Sequence, residues 1–90
     1  MARSDELMTT LRGEAASCYS WSNGPNDRYA AHSHPYEKVL YCVAGSITFV
    51  LEKEGRRLEL KPGERMVLPA GTVHSAIVGP SGCTCIEGQR

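Results

Sequence analysis

The feature that most constrains this chain is its punctuation. From residue 14 onward, turn signals recur at NGPND (23–27), HP (34–35), AG (44–45), EG (54–55), KPG (61–63), PAG (69–71) and GPSG (79–82). Between them lie runs rich in β-branched and aromatic residues: EAASCYSW, RYAAHSH, KVLYCV, SITFVLE, RRLELK, RMVLP, TVHSAIV and CTCIE. About eight short, evenly spaced strands with no internal repeat read as an all-β barrel or sandwich. Glu54-Gly55 suits a tight hairpin between SITFVLEK and RRLEL, and Gly63, Gly71 and Gly79 mark sharp turns.

Residues 1–13 read differently, as an arm preceding one barrel domain over residues 14–90. Ser4 can cap a helix over 4–12, Asp5 and Glu6 suit its positive end, and Gly13 can end it. Leu7, Met8 and Leu11 fall on one face, so the helix covers a barrel end or a partner subunit.

Ninety residues bury a modest core, and association is a common remedy for chains of this size. Val39, Tyr41 and Val43 alternate with Leu40 and Cys42, so this strand is apolar on both faces and needs cover on both. The second sheet, the N-terminal segment or a second copy can supply it, and a homodimer is expected.

The charge balance, 10 Lys+Arg against 10 Asp+Glu, offers no basic excess for nucleic acid or an anionic membrane. MARSDELMTTLRGE carries acidic residues and no apolar signal core, and no run is long enough to span a bilayer. A cytoplasmic location is expected. Cys18, Cys42, Cys83 and Cys85 fit it as free thiols, and their spacing contains no CxxC of a zinc framework.

The chemistry-bearing residues are the histidines, all three of them. Side chains alternate along a strand, so His32 and His34 share one face and their rings can converge on one ion, at about 2.0–2.1 Å for zinc. The third, His74, follows PAG in a later run and shares its face with Ala76 and Val78.

The spacing of whole segments goes further. HSHPYEKVLYCVAG resembles the first cupin motif, G-x5-H-x-H-x3/4-E-x6-G, at His32, His34 and Gly45. GERMVLPAGTVHSAIV resembles the second, G-x5-P-x-G-x2-H-x3-N, at Gly63, Pro69, Gly71 and His74. The chain is similar over residues 26–78 to small single-domain prokaryotic cupins. The resemblance implies an all-β fold, a small antiparallel jelly-roll barrel. It also implies a divalent transition metal on His32, His34 and His74, with Fe, Mn, Ni, Zn, Co and Cu all used across the family.

Three positions depart from the pattern. Asn26 stands at the opening glycine, and asparagine tolerates a left-handed backbone. Val78 stands at the closing asparagine. Lys38 stands where the family has its glutamate ligand, by counts from both His34 and Gly45. Glu37 lies one residue early, and alternation turns it away unless a bulge shifts the register. Three outcomes stay open: a three-histidine metal site with Lys38 toward the mouth, a site completed by Glu37, or a metal-free pocket in which Lys38 and the histidines bind a small anion.

Lys38 and Tyr36 are the candidate substrate contacts, with Lys38 as a rim lysine the plainer reading and Tyr36 as a loop residue an equal one. Arg28 reads as a solvated rim residue. Leu40, Cys42, Met66, Leu68, Ala76 and Val78 form an apolar wall, and Cys83 and Cys85 pack. Cupins include oxygenases, isomerases and sugar binders, so two functions are carried: a metal-dependent enzyme of oxygenase or isomerase type, and a non-catalytic small-molecule binder or sensor, with or without metal.

Overall fold

A computed structural model describes residues 2–90, with side chains from residue 4 onward; Met1, part of the expected arm, lies outside the described residues. The chain folds as one helix, α1 (Ala2–Arg12), and six strands: β1 (Ala16–Asn23), β2 (Arg28–His32), β3 (Lys38–Leu51), β4 (Arg56–Leu60), β5 (Arg65–Leu68) and β6 (His74–Gln89). All pairing is antiparallel, in the order β1-β6-β3-β4, with β2 also on β6 and β5 also on β3. The result is the expected all-β jelly-roll barrel with a short N-terminal helix.

The eight expected strands are six because two of the turn signals are bends. At Ala44-Gly45 the chain does not reverse: β3 runs on, with register shifts against β6 on either side of Gly45. GPSG likewise bends β6 instead of ending it. The two bends lie against each other. Gly45 has φ +70°, and a Cβ there would sit 2.0 Å from the Gly82 carbonyl oxygen. Only glycine permits both that conformation and that approach. Gly79 is likewise a point of close approach, to Ser46, rather than a turn. The EG hairpin is also longer than expected, since Leu51 pairs with Arg56 across a four-residue loop, 52–55.

The shifts on β3 decide which residues face inward. Leu40 and Cys42 point into the barrel, and beyond the bend Ile47 and Phe49 do. They meet Leu60, Met66, Leu68, Ala76, Val78, Cys83 and Cys85 in one core, so the whole expected apolar wall is present and the two late cysteines pack within it. Burial pushes the Cys83 thiol up; the adjacent Cys42 thiol, together with burial, pushes Cys85 up as well, which leaves both unreactive.

The outer face of the same strands carries Val39, Tyr41 and Ile86. The cover is α1: Leu11 is fully buried there, with Leu7 and Met8 packed beside it. The helix thus lies over the flank of the barrel, not over an end. It starts at Ala2, so Ser4 sits inside the first turn rather than capping it, while Gly13 ends it by donating to the carbonyls of Thr9 and Thr10. The phenol of Tyr41 and the guanidinium of Arg65 both donate to Glu14, fixing the helix exit to the sheet. The hydrogen bonds from these two residues, those of Arg65 first, hold the Glu14 carboxyl below the usual range.

Candidate metal centre

The three histidines meet at one end of the barrel. His74 opens β6 and is only 2 % exposed, because β2 pairs with it on one side and β3 on the other, through His32 and Leu51. His32 closes β2, an exposed edge strand. His34 is not on that strand: β2 ends two residues earlier, and His34 sits in the loop beyond it. At His34 itself the loop is held by a backbone bond from the Gly71 N–H to the His34 carbonyl at 2.8 Å. Gly71 makes that bond from φ +79°, so the PAG turn needs its glycine.

Despite these different supports, the rings converge. Centroids are 4.4 Å apart for His32 and His74, 4.9 Å for His32 and His34, and 5.4 Å for His34 and His74. One ligand atom from each ring lies within 4.8 Å of the other two. The His32 Nδ1–H donates to the Ala30 carbonyl at 2.7 Å, and the His74 Nδ1–H to the Thr72 carbonyl at 2.9 Å. A carbonyl can only accept, so both rings carry their proton on Nδ1 and keep the Nε2 lone pair. Burial holds His34 and His74 below the usual imidazole range, with the Lys38 ammonium and neighbouring imidazoles adding to it. Near neutral pH these rings are uncharged, the form that binds a metal. Imidazoles alone suit Zn, Cu, Fe or Ni, so the donor set fits a divalent transition ion without choosing one.

The residues around the first motif separate cleanly. Glu37 turns away: its carboxylate accepts from Arg90 Nε at 2.6 Å, and its carbonyl accepts from the Arg90 N–H. Arg28 is exposed. Tyr36 packs its ring against His34, with centroids 5.2 Å apart. It does not line the cavity described next. Asn26 has φ +63°, so asparagine supplies the backbone the motif's glycine would.

Lys38 is not at the rim. It is 9 % exposed and points inward, 3.4 Å from Glu87. Glu87 is 5 % exposed and accepts from the Tyr19 hydroxyl and from Trp21 Nε1, each at 2.8 Å. This buried carboxylate is the residue that sequence reasoning missed. The signal was present: Cys83 and Cys85 share the inner face of β6, and the same alternation puts Glu87 there. Lys38, Glu87, His32 and His74 line one cavity of about 240 Å³ with Tyr19, Trp21, Tyr29, Phe49 and Ala76.

Comparison with known proteins agrees with this geometry. Residues 21–82, more than half of the chain, match the family described as Cupin domain. The chain belongs to the cupin family. This cupin is 32 % identical over 69 residues to a 3-hydroxyanthranilate 3,4-dioxygenase of Cupriavidus pinatubonensis, covering 74 % of this chain and 36 % of that one. It is 43 % identical over 49 residues to acireductone dioxygenase 4 of Arabidopsis thaliana, covering 51 % and 26 %. It therefore spans well under half the length of these relatives. Among solved structures, the polyketide cyclase RemF of Streptomyces resistomycificus superposes with TM-score 0.72 and 30 % identity, over 80 % of this chain and 52 % of that one. An RmlC-like cupin of Shewanella frigidimarina, at TM-score 0.70 and 21 % identity over 80 % and 62 %, shares the fold. Among the described residues, no helix is long and apolar enough to cross a membrane.

Proposed function

We propose that this cupin holds one divalent transition metal on His32, His34 and His74 and uses it to act on a small molecule, with dioxygenase chemistry the leading case. The observation that carries the reading is the convergence of three imidazoles, two of them with Nδ1 tied to carbonyls and Nε2 left to bind. The dioxygenase relatives support the reaction class. When bound, such an ion polarises an oxygen of a small molecule or holds that molecule beside dioxygen.

The chain's own residues supply the rest. The Ala30 and Thr72 carbonyls keep the ring protons on the far nitrogens and fix the ring planes. Trp21, Tyr29 and Phe49 give the cavity aromatic walls. Tyr36 braces His34, and Lys38 faces the small molecule. The cavity lies below the usual size of drug-like sites, which suits a small metabolite.

Protein purified without added metal, then refed in turn with iron, manganese, nickel, zinc, cobalt and copper, is expected to retain close to one equivalent of at least one of them. A protein that stays metal-free throughout would overturn the reading. It would favour the second one, a binder without turnover, which one observation supports: both oxygens of Glu87 are already engaged by donors, so the cavity's carboxylate is not poised to move a proton.

A further inference from the structure

From the buried Lys38–Glu87 pair beside the histidines, we infer that this site selects small, flat organic anions, and that Lys38 is the residue that reads the negative charge. The inference rests on the metal-centre reading above and goes beyond it by naming the class of ligand and the group that recognises it.

Charge counting comes first. The site's protein charges are Lys38 and Glu87, and they cancel within one ion pair. An imidazole that holds a metal does so as a neutral ligand, so the three histidines add no charge of their own. A divalent ion on the three imidazoles therefore adds two positive charges that no protein carboxylate balances. The motif's usual glutamate would remove one of them, but here that position is a lysine. Glu37, the nearest acidic alternative in the chain, is committed to Arg90 on the outside. Unbalanced charge held away from bulk water is costly, and an anionic ligand supplies the balance. The cavity thus favours an anion over a neutral molecule of the same shape.

Next comes the device that reads the charge. Glu87 does not act as a second anion free to repel the ligand, because three groups converge on it: Tyr19, Trp21 and Lys38. The first two come from β1 and the third from β3, so the carboxylate clamps Lys38 in place between two strands. An ammonium has three N–H donors, and the ion-pair partner of Lys38 is Glu87 alone, 3.4 Å away. Lys38 also lines the cavity together with His32 and His74, where it can donate to a ligand. Lys38 raises no barrier to an anion reaching the histidines.

The walls set the shape. Trp21, Tyr29 and Phe49 line the same cavity, with Trp21 and Tyr29 edge to face at 6.0 Å and Phe49 6.2 Å from His74. Aromatic faces around a narrow space favour a planar, unsaturated frame. Such a ligand carries a carboxylate or a deprotonated hydroxyl to the space between Lys38 and the metal ligands.

The test uses the zinc-loaded protein and titration calorimetry with two probes: salicylate, flat and anionic, and salicylamide, nearly the same shape, at a pH where the amide is uncharged. Wild-type protein is expected to bind salicylate more tightly than salicylamide. Lys38→Met is expected to weaken salicylate by roughly tenfold or more, the scale of a lost charge-assisted hydrogen bond, and to change salicylamide little. Lys38→Arg restores part of the preference. Because Lys38→Met leaves a buried carboxylate short of one partner, K38M/E87Q is measured beside it. The amide keeps a carbonyl for Trp21, and the double variant is expected to show the same lost preference. Zinc stoichiometry is measured first for every protein. Wild-type protein that takes no zinc overturns the metal reading and this inference with it. Stoichiometric zinc with no salicylate binding, with equal affinity for both probes, or with an unchanged preference in both Lys38→Met and K38M/E87Q overturns this inference alone.

Discussion

β2 and β6 pair with each other and each delivers a histidine to the same point, yet they are opposite kinds of strand. β2 has five residues, all exposed, and lies at an edge. β6 has sixteen, lies between β3 and the strands β1 and β2, and buries His74, Ala76, Val78, Cys83, Cys85, Ile86 and Glu87. This largely buried strand can hold one imidazole and one carboxylate in fixed positions, since packing on both sides leaves few alternatives. The edge cannot. It relies on a carbonyl for His32 and on one backbone bond from Gly71 for His34. The candidate centre therefore has a rigid half and a lightly tethered half. Elements with few buried contacts are the ones that open first.

The largest expected effect tests that division directly. His74→Ala is expected to abolish zinc binding, whereas His32→Ala leaves weak binding because the rigid half and His34 remain. A titration against a competing chelator checks this, and equal losses in the two variants would erase the distinction.

Next in size is the carboxylate on the rigid strand. Glu87→Ala strands Lys38 as a buried charge and leaves Tyr19 and Trp21 without their acceptor. It is expected to cost about 3 kcal/mol in urea unfolding, in the range of a broken buried pair. K38M/E87Q recovers most of that loss. A Glu87→Ala protein as stable as wild type would mean that β6 is not the rigid element described.

The smallest effect is a titration. Partial burial and the carboxylate of Glu87 push Tyr19, which is half exposed, up to about 12. The ionised form is the disfavoured one, so the unfolded chain loses this proton first as pH rises past 10.0, the ordinary value. Stability is therefore expected to fall between about pH 10 and 12, with no contribution from Tyr19 at neutral pH. Tyr19→Phe flattens that decline. An ultraviolet titration that finds all tyrosines ionising near the ordinary value would show that the Tyr19–Glu87 contact is open to water.

The histidines were legible because a metal-type cluster needs residue types and spacings that alternation and the two motifs both state. Asn26 was legible for a similar reason: a missing glycine was matched by the residue best able to adopt its backbone. Lys38 was half legible. Its departure from the motif stood out, but its depth did not, because its partner lies forty-nine positions later on another strand. Glu87 itself was hidden by its setting: a single acid near a chain end reads as solvated unless the parity of Cys83 and Cys85 is carried two residues further. Strand number failed where glycine does two jobs. Gly45 and Gly82 look like turns in sequence, and only the approach of their backbones shows that they are bends in continuous strands.

Trp21 is the only tryptophan in the chain, and its indole N–H is fixed on Glu87 in the cavity wall. All tryptophan emission from this protein thus originates beside the three histidines. A paramagnetic ion arriving there darkens it, and an exchange of water for an apolar ligand shifts its colour, so the protein comes with its own optical gauge of whether the barrel is filled.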